Sequence, residues 1–275
     1  METSKILIFG ASGMLGTELT KAFKYHHVYS YSRKEADITK KQIIFDIINN
    51  LRPDTVINSA AYTYVDGCEI NKKLAFNVNG HAVKIIAEAC KKNNASMIHI
   101  STDYVFDGKK KSYKESDKTN PINIYGKSKE LGERNLFDTF KDYYLIRTSW
   151  LFGKGGKNFV DTILRLSKEQ KEINIVNDQF GRPTYTVDLA NKIKEIFETK
   201  KPFGIYHITN SGTCSWFHFA KAIVKLVNLN TKINPIKSEQ LNRRAKRPKY
   251  SVLLNTKLSP LRHWRLALKD FLSVK

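Results

Sequence analysis

Cysteine is scarce in this sequence of 275 residues, which contains only Cys68, Cys90 and Cys214. Their odd number and wide spacing argue against a disulfide framework and favour a reducing compartment. No apolar run approaches the ~18 residues that a membrane-spanning helix requires. The apolar residues at 6–9 are followed at once by a glycine and are too few for a secretory signal. We therefore expect a cytoplasmic protein with no membrane partner.

Acidic residues are also few, because 26 Asp and Glu stand against 47 Lys and Arg, for a formal net charge of +21. Such an excess invites a nucleic-acid interpretation. The lysines are spread along the chain, however, and the sequence has no zinc-finger spacing, basic recognition helix or basic stripe interleaved with aromatics. We expect no nucleic-acid partner. With 41% apolar residues, the chain is long enough for a sizeable globular core.

Short apolar segments alternate with segments of helical periodicity through the first half of the chain. Strands are predicted at 5–9, 28–32, 55–58, 97–101 and 144–149, and the intervening helices at about 15–23, 40–51, 74–89 and 124–140. Continuous apolar strands separated by helices are typical of a parallel sheet covered on both faces. The sequence therefore predicts an α/β fold with a doubly wound, Rossmann-type sheet.

The alternation becomes less regular after Trp150. Helices are predicted at 158–168, 187–199 and 215–228, and strands at 173–177 and 205–209. We predict a dinucleotide-binding domain over 1–150, to which residues 173–210 return, and a smaller lobe, mainly for substrate, over 151–275.

A glycine-rich turn connects the first predicted strand to the first helix. Gly10, Gly13 and Gly16 form a G-x-x-G-x-x-G pattern, a variant of the dinucleotide fingerprint. Glycine lets the backbone approach a pyrophosphate, which the free N–H groups and the dipole of the helix N-terminus then bind. The candidate cofactor contacts in this turn are Gly10, Ser12, Gly13, Met14 and Leu15.

The end of the second strand indicates which nicotinamide cofactor fits. An acidic residue there would bind the ribose 2′-hydroxyl, whereas arginine accommodates a 2′-phosphate. Ser32 and Arg33 occupy this place, with no carboxylate before Glu35, so the sequence favours NADPH and leaves NADH as an alternative. Asp37 is interpreted either as a contact of the adenine ring or as the N-cap of the helix that begins near residue 40.

Tyr125 and Lys129 lie one helical turn apart, on the same face of a predicted helix. A tyrosine with its ordinary pKa near ~10 is a poor acid at neutral pH. We expect the Lys129 cation to lower the pKa of Tyr125, so that the phenol can protonate a carbonyl oxygen as hydride arrives at the carbon. Thr102 follows the fourth strand, at the edge of the sheet where ligands bind, and can place a hydroxyl next to Tyr125.

With these motifs in place, the sequence resembles the extended short-chain dehydrogenase/reductases, and among them the dTDP-4-dehydrorhamnose reductase family. The resemblance runs through nearly the whole chain, over segments at 10–16, 58–63, 101–108, 125–129, 147–153, 178–184, 212–216 and 247–251. Its most specific parts are S-T-D-Y-V-F-D-G at 101–108 and R-T-S-W at 147–150.

The resemblance implies roles for particular residues. Thr102, Tyr125 and Lys129 would form the catalytic triad, with Tyr125 and Lys129 also touching the cofactor. Ala60, Ala61 and Thr63 would line the cofactor after the third strand. Tyr104 and Trp150 would hold the sugar ring with their aromatic faces. Gln179 and Arg182, in D-Q-F-G-R-P-T, and Arg247 would help to hold the nucleotide diphosphate, and Arg244 is a further candidate.

The activity implied is NAD(P)H-dependent reduction of the 4-keto group of dTDP-4-dehydro-L-rhamnose in nucleotide-sugar and cell-surface polysaccharide biosynthesis. Mg²⁺ accompanies some relatives, but no ligand for it can be assigned, and we expect a monomer or homodimer. Three alternatives stay open: another nucleotide-sugar reductase, an epimerase or dehydratase of the same fold, and a non-catalytic NADP-binding regulatory subunit. Tyr104 stands where a dehydratase would have glutamate, which favours simple reduction. Trp216 and Phe219 are interpreted as core residues.

Overall fold

The computed structural model describes residues 3–274, in which strands and helices alternate. The strands are, in chain order, β1 (Lys5–Phe9), β2 (His27–Tyr31), β3 (Thr55–Asn58), β4 (Ser96–Thr102), β5 (Tyr143–Thr148), β6 (Leu151–Phe152), β7 (Glu172–Val176), β8 (Phe180–Gly181), β9 (Thr184–Tyr185), β10 (Gly204–His207), β11 (Asn210–Ser211), β12 (Cys214–Ser215), β13 (Lys232–Ile236) and β14 (Leu261–His263). The α-helices are α1 (Met14–Ala22), α2 (Lys41–Leu51), α3 (Val65–Ile70), α4 (Lys72–Phe76), α5 (Ala82–Lys92), α6 (Ile124–Thr139), α7 (Phe159–Glu169), α8 (Thr186–Glu198), α9 (Trp216–Leu226) and α10 (Trp264–Ser273).

Six strands form one parallel sheet in the order β10–β5–β4–β3–β1–β2. The chain adds β2 on one side of β1 and then returns to add β3 on the other side. Connections that diverge in this way open a crevice at the carboxyl ends of β1 and β3, which is where open α/β sheets bind ligands. The predicted doubly wound α/β fold is confirmed.

Helices cover both faces of the sheet because its strands are apolar on both sides. Leu7 and Phe9 of β1 point to one face, where they join the core formed with α2, α5 and α6. Ile6 and Ile8 point to the other face and join the core formed with α1 and α8. All four side chains are fully buried, as the alternation of side chains along a strand between two helical layers requires.

A third core lies in the C-terminal part of the chain. Phe152 packs there with residues of α7, α9 and α10, among them Phe219 and Trp264. Strand β7 pairs in parallel with β13, whereas β10 belongs to the main sheet and α8 packs on α1. Residues 173–210 therefore contribute both to the main sheet and to the smaller pairing. The division of the chain near residue 150 into a cofactor domain and a substrate lobe stays a prediction.

The helix predicted over 74–89 is interrupted. Residues Asn77–His81 form a π-helical turn between α4 and α5. The buried Asn79 amide donates to the Tyr62 carbonyl and to the Ser128 hydroxyl, both at 3.0 Å, and so ties the turn to α6. Val78 within the turn and Ala82 after it pack against the same core, so the apolar pattern of the sequence did not reveal the interruption.

Among the helices of residues 3–274, none combines the length and the apolar character needed to cross a bilayer. Cys68, Cys90 and Cys214 are buried free thiols.

Candidate active site

The glycine turn after β1 is closely packed at its first and third glycines. Gly10 has a φ of 79°, and a Cβ there would lie 2.6 Å from the amide nitrogen of Ala60 after β3. At Gly16 a Cβ would lie 2.1 Å from the Gly10 carbonyl oxygen. Both positions exclude a side chain, because backbone atoms that cannot move aside already occupy the space. The turn can therefore bring α1 close against the ends of β1 and β3.

The N-terminus of α1 is available to bind an anion. Gly13 is the N-cap residue, and no side chain caps the helix. Gly13, Met14 and Leu15 line a cavity of about 550 Å³, which we call the main cavity. Uncapped N–H groups and the positive end of a helix dipole favour a phosphate. The turn could therefore hold the pyrophosphate of a dinucleotide, and its residues stay predicted cofactor contacts.

A second cavity, of about 220 Å³, lies on the other side of the turn and is called the turn cavity. Its lining includes Gly10, Ser12, Arg33, Asp37 and Ala60, which the sequence analysis predicted as cofactor contacts, and Ala61 borders both cavities. The exposed Arg33 guanidinium makes no ion pair among the described residues.

Asp37 has a local role next to the turn cavity. Its carboxylate accepts hydrogen bonds from the backbone N–H and the hydroxyl of Thr39, at 3.0 and 2.8 Å. The N-cap residue of α2 is Lys40, so the interpretation of Asp37 as that N-cap is wrong. Because the acidic side chain binds Thr39 instead, it shapes the loop that borders the cavity, and the predicted adenine contact stays a prediction.

The predicted catalytic residues come from two elements that meet at the carboxyl end of the sheet. Thr102 ends β4, whereas Tyr125 and Lys129 lie in the first turns of α6. The side chain of Asn123 caps α6 by accepting from the Gly126 N–H at 2.8 Å. A Cβ at Gly126 would lie 2.1 Å from the Tyr104 carbonyl oxygen, so α6 can begin directly against the turn that follows β4. Thr102, Tyr125 and Lys129 consequently line the main cavity together.

Burial controls the ionisation of this group. It raises the pKa of the Tyr125 phenol, and a hydrogen bond with Thr102 only partly opposes the increase. It lowers the pKa of Lys129 to about 8, against the attraction of the Glu133 carboxylate. The expected lowering of the Tyr125 pKa is therefore wrong for this structure, because loss of hydration is the largest effect and the nearby Asp103 charge raises the pKa further. Tyr125 keeps its proton at neutral pH.

Lys129 is held in place by the strand beside it. Its ammonium group is almost fully buried and donates to the Ile100 carbonyl at 2.6 Å. A buried ion pair lies one helical turn further along: Arg147 donates to both oxygens of Glu133, at 3.0 and 2.6 Å. Glu133 also accepts from the Ser101 hydroxyl at 2.5 Å, next to Thr102. The pair therefore joins β4, β5 and α6 directly behind the predicted catalytic residues.

Trp150 is held between two neighbours at the wall of the main cavity. Its ring stacks on Trp216, with centroids 3.5 Å apart and planes inclined by 6°. A Cβ at Gly181 would lie 2.5 Å from Trp150 Cε2 and 2.7 Å from both Cζ2 and Nε1, so the Gly181 backbone covers the opposite face. Trp150 also has a left-handed backbone, with a φ of 48°. Trp216 therefore covers one face of the indole and Gly181 lies over its Cε2, Cζ2 and Nε1 atoms, and the predicted contact of Trp150 with a sugar ring stays a prediction.

Replacing Gly181 with alanine should disturb this stack. The added methyl group would overlap the indole, and overpacking of this kind costs about 1–3 kcal/mol of unfolding free energy. Near-ultraviolet circular dichroism should lose the signal of the stacked tryptophans, and denaturant unfolding should show the destabilisation. An unchanged spectrum and an unchanged unfolding midpoint would contradict the proposed packing.

Two arginines border a third cavity, of about 230 Å³, which we call the arginine cavity. Arg247 donates to both carboxylate oxygens of Asp66, at 2.7 and 2.5 Å, and its hydrogen bonds lower the pKa of Asp66 to about 2. Arg243 makes no ion pair among residues 3–274. Tyr104 and Trp216 border both this cavity and the main cavity, so the two are adjacent. Arg243 is therefore the cation that is free to bind an anion there.

Several predicted residues lie outside these three cavities. The amide of Gln179 donates to the Ser238 hydroxyl at 2.9 Å, and the Ser32 N–H donates to Glu35 at 2.7 Å. The Arg182 side chain is largely buried, with no hydrogen-bond partner for Nε among the described residues. Their roles in binding stay predictions. Thr63 lines the main cavity with Ala61.

Two residues at the site were not predicted from the sequence. Trp216 was interpreted as core, but it borders the main and arginine cavities. Its position as the first residue of α9, directly after a strand, was the available signal. Arg243 was not predicted as a binding residue, because sequence alone could not tell that Asp66 engages Arg247.

Comparisons with known proteins agree with this geometry. A family model described as the RmlD substrate binding domain matches residues 4–275. The spore coat polysaccharide biosynthesis protein SpsK of Bacillus subtilis is 42% identical, over 98% of this chain and 97% of that protein. A dTDP-4-dehydrorhamnose reductase of Aggregatibacter actinomycetemcomitans is 40% identical, over 97% of this chain and 98% of its own. The crystal structure of a dTDP-4-dehydrorhamnose reductase from Bacillus anthracis in complex with NADP has a TM-score of 0.97 at 36% identity, over 100% of both chains. The chain therefore belongs to the dTDP-4-dehydrorhamnose reductase family.

Proposed function

We propose that this protein uses NADPH to reduce the 4-keto group of dTDP-4-dehydro-L-rhamnose, giving dTDP-L-rhamnose. Relatives that carry the name dTDP-4-dehydrorhamnose reductase and the NADP complex of one of them support the proposal. The observation that carries it is the shared lining of the main cavity, where Thr102, Tyr125 and Lys129 lie opposite the glycine turn. This arrangement provides a proton donor beside a site for a dinucleotide.

The residues proposed to hold NADPH line the two adjoining cavities, except Ser32, which directly precedes Arg33 in the chain. They are Gly10, Ser12, Gly13, Met14 and Leu15 at the turn, Ser32, Arg33 and Asp37 after β2, Ala60, Ala61 and Thr63 after β3, and Tyr125 and Lys129 on α6. The uncapped α1 N-terminus and the close approach at Gly10 fit a pyrophosphate. NADPH bound there supplies hydride for the reduction of a carbonyl carbon.

Tyr125 provides the proton in this mechanism. The raised pKa keeps the phenol protonated at neutral pH, so it can donate to the carbonyl oxygen as negative charge develops there. The Thr102 hydroxyl hydrogen-bonds the same oxygen. Lys129, held at the Ile100 carbonyl, keeps a cation near the developing charge.

The remainder of the substrate is proposed to extend toward the C-terminal part of the chain. Arg243 and Arg247 border the arginine cavity, and Arg243 is free to pair with a diphosphate. Tyr104 and Trp150, which line the main cavity, would meet the sugar. We accordingly infer that residues 1–150 bind mainly cofactor and 151–275 mainly substrate, with Gln179 and Arg182 acting from behind the cavity wall.

Replacing Arg33 with alanine should weaken NADPH binding about tenfold or more and leave NADH binding nearly unchanged. The guanidinium pairs with the 2′-phosphate that only NADPH has, and charge-assisted hydrogen bonds contribute about 1.5–3 kcal/mol. Fluorescence titration with both cofactors measures the effect, and Lys34→Ala, which removes the adjacent cation, is the matched control. An equal loss for NADPH and NADH would show that Arg33 does not read the phosphate.

The proposed activity is tested by assaying the purified protein against a panel of nucleotide 4-keto-6-deoxy sugars, with NADPH and NADH compared. We expect fastest turnover with dTDP-4-dehydro-L-rhamnose and NADPH. Cofactor binding without turnover of any sugar would favour the regulatory subunit, and loss of water or inversion without net oxidation of NADPH would favour a dehydratase or epimerase.

Two further properties belong to the same proposal. Residues 3–274 contain no group of three or more His, Cys, Asp or Glu placed to hold a metal ion, so the assay is run with Mg²⁺ and with a chelator to test for dependence on the ion. Light scattering is expected to show a monomer or a homodimer.

A further inference from the structure

A second buried acid lies in the wall of the main cavity, next to Thr102. Asp103 is 3% exposed and forms part of the short 3₁₀ turn that follows β4. Its Oδ1 accepts from the Thr102 hydroxyl at 3.0 Å. Its Oδ2 is buried and has no well-formed hydrogen bond to any residue in the described part of the chain. A buried carboxylate whose second oxygen lacks a well-formed hydrogen bond is costly, whereas a protonated carboxyl in the same place costs much less.

The hydroxyl of Thr102 has one proton and therefore one direction in which to donate. Its oxygen already accepts from the Tyr104 N–H at 3.2 Å. When Asp103 is ionised, the hydroxyl proton of Thr102 points to Oδ1 and cannot also point to Tyr125 or to a substrate oxygen. When Asp103 is protonated, the acid becomes the donor to Thr102, and the threonine proton is released toward the cavity.

We propose that Asp103 is a positioning residue that, when protonated, turns the Thr102 hydroxyl toward Tyr125 and returns a proton to the phenolate after each reduction. The inference rests on the proposed function of the same site. In the step considered, Tyr125 gives its proton to the alkoxide oxygen of the product. Once the product oxygen is protonated, the Thr102 hydroxyl turns from that oxygen to the Tyr125 phenolate and gives it the proton of Oγ1, and the proton of Asp103 Oδ1 moves to Thr102. Asp103 is left as a carboxylate, which takes a proton from solvent before the next turnover.

The electrostatics of the site support this assignment. Burial raises the pKa of Asp103 to about 7, although the Thr102 and Ser251 hydroxyls favour its charged form. Two tyrosines face Asp103: Tyr104 in the same turn and Tyr125 in α6. The negative charge of Asp103 helps to raise the pKa of both phenols.

Cations lie beyond these two tyrosines. Lys129 lines the cavity from α6, and Arg243 and Arg247 act on Tyr104 from the C-terminal part of the chain. None of these three cations is a main cause of the change in the pKa of Asp103. Burial therefore leaves this carboxyl group partly protonated at neutral pH.

The first test compares the pH dependence of kcat in the wild-type protein and in Asp103→Asn, which keeps the shape of the side chain but cannot supply the proton. A group with a pKa of about 7 changes from mostly protonated to mostly ionised between pH 6 and 8, so wild-type kcat should fall roughly tenfold over that range. The Asp103→Asn profile should lose this tenfold fall and keep only the smaller decrease toward pH 8 that follows from deprotonation of Lys129, whose pKa is about 8, with kcat at or below the wild-type value at pH 8. Asp107→Asn, in the same loop, is the matched control and should keep the wild-type profile.

A double-mutant cycle tests whether Asp103 acts through Thr102. Asp103→Asn should change the profile of the wild-type protein and have no further effect in a Thr102→Val background, because the relay is already interrupted. If Asp103→Asn fails to fold, Ser251→Ala replaces it: loss of the hydroxyl that favours the carboxylate should move the fall in kcat to higher pH. A wild-type profile in Asp103→Asn, or an equal effect of that change with and without Thr102, would overturn the inference. Failure of the wild-type protein to reduce any sugar would instead overturn the proposed function.

Discussion

Replacing Tyr125 with phenylalanine is expected to lower kcat by roughly 10²- to 10⁴-fold, the range that a positioned general acid contributes. The ring and its packing against Tyr104, with centroids 5.9 Å apart, remain, so the cavity keeps its shape. The hydroxyl that donates to the carbonyl oxygen is the only group removed. NADPH affinity, measured by fluorescence titration, should change little, because the glycine turn and the α1 N-terminus are untouched.

Tyr104→Phe is the matched control for this prediction. Tyr104 lies beside Tyr125, lines the same cavity and loses the same hydroxyl group, but it is assigned to substrate binding. Its replacement should therefore raise KM more than it lowers kcat. Near-normal turnover of Tyr125→Phe would exclude the tyrosine as the proton donor, whatever the control shows.

Replacing Arg147 with methionine is expected to cost about 3–5 kcal/mol of unfolding free energy, the usual cost of leaving one charge of a buried pair uncompensated. The side chains of Arg147 and Glu133 are only 3% and 2% exposed, so water cannot take the place of the lost partner. Because Glu133 also holds Ser101 and lies one turn from Lys129, activity should fall together with stability. Denaturant unfolding measures the first effect and kcat the second.

Two variants make this prediction specific. Arg165 pairs with Glu169 on the surface of α7, with side chains 61% and 50% exposed, and Arg165→Met should cost no more than about 1 kcal/mol. Adding Glu133→Gln to Arg147→Met removes the unpaired charge and should recover part of the lost stability. A cost for Arg147→Met as small as that for Arg165→Met would contradict the account of the buried pair.

The strands and the site of the glycine turn could be predicted from the sequence because local rules determine them. A strand buried on both faces is predominantly apolar, as in Ile6 to Phe9 of β1, and a strand-to-helix turn over a phosphate needs glycine. Tyr125 and Lys129 share a helix face by spacing alone. Each of these inferences depends on residues close together in the chain.

The features that were missed depend on contacts between distant residues. Two-residue strands such as β8 and β12 have no periodicity to detect, and Gly181 in β8 meets Trp150 only in the folded protein. Asp66 engages Arg247 across 181 positions of sequence and so leaves Arg243 as the free cation. The pKa of Tyr125 is raised because the folded protein buries the phenol. A local sequence pattern does not show which of these long-range contacts form or which side chains they bury.

Only a small part of the net charge of +21 can be related to the site. Arg33 borders the turn cavity and Arg243 borders the arginine cavity, where the proposed cofactor and substrate would each place phosphate groups. Arg33 and Arg243 are therefore the two residues of the positive excess to which the proposed function assigns phosphate binding.

The central claim is direct reduction of a sugar carbonyl by NADPH at this site. It is tested most directly with NADPH that has deuterium at the transferable position of the nicotinamide ring, followed by mass spectrometry and NMR of the sugar product. The account predicts one deuterium at C4 of dTDP-L-rhamnose for each NADPH oxidised. Tight NADPH binding with no deuterium at C4 of any nucleotide sugar in the panel would contradict it.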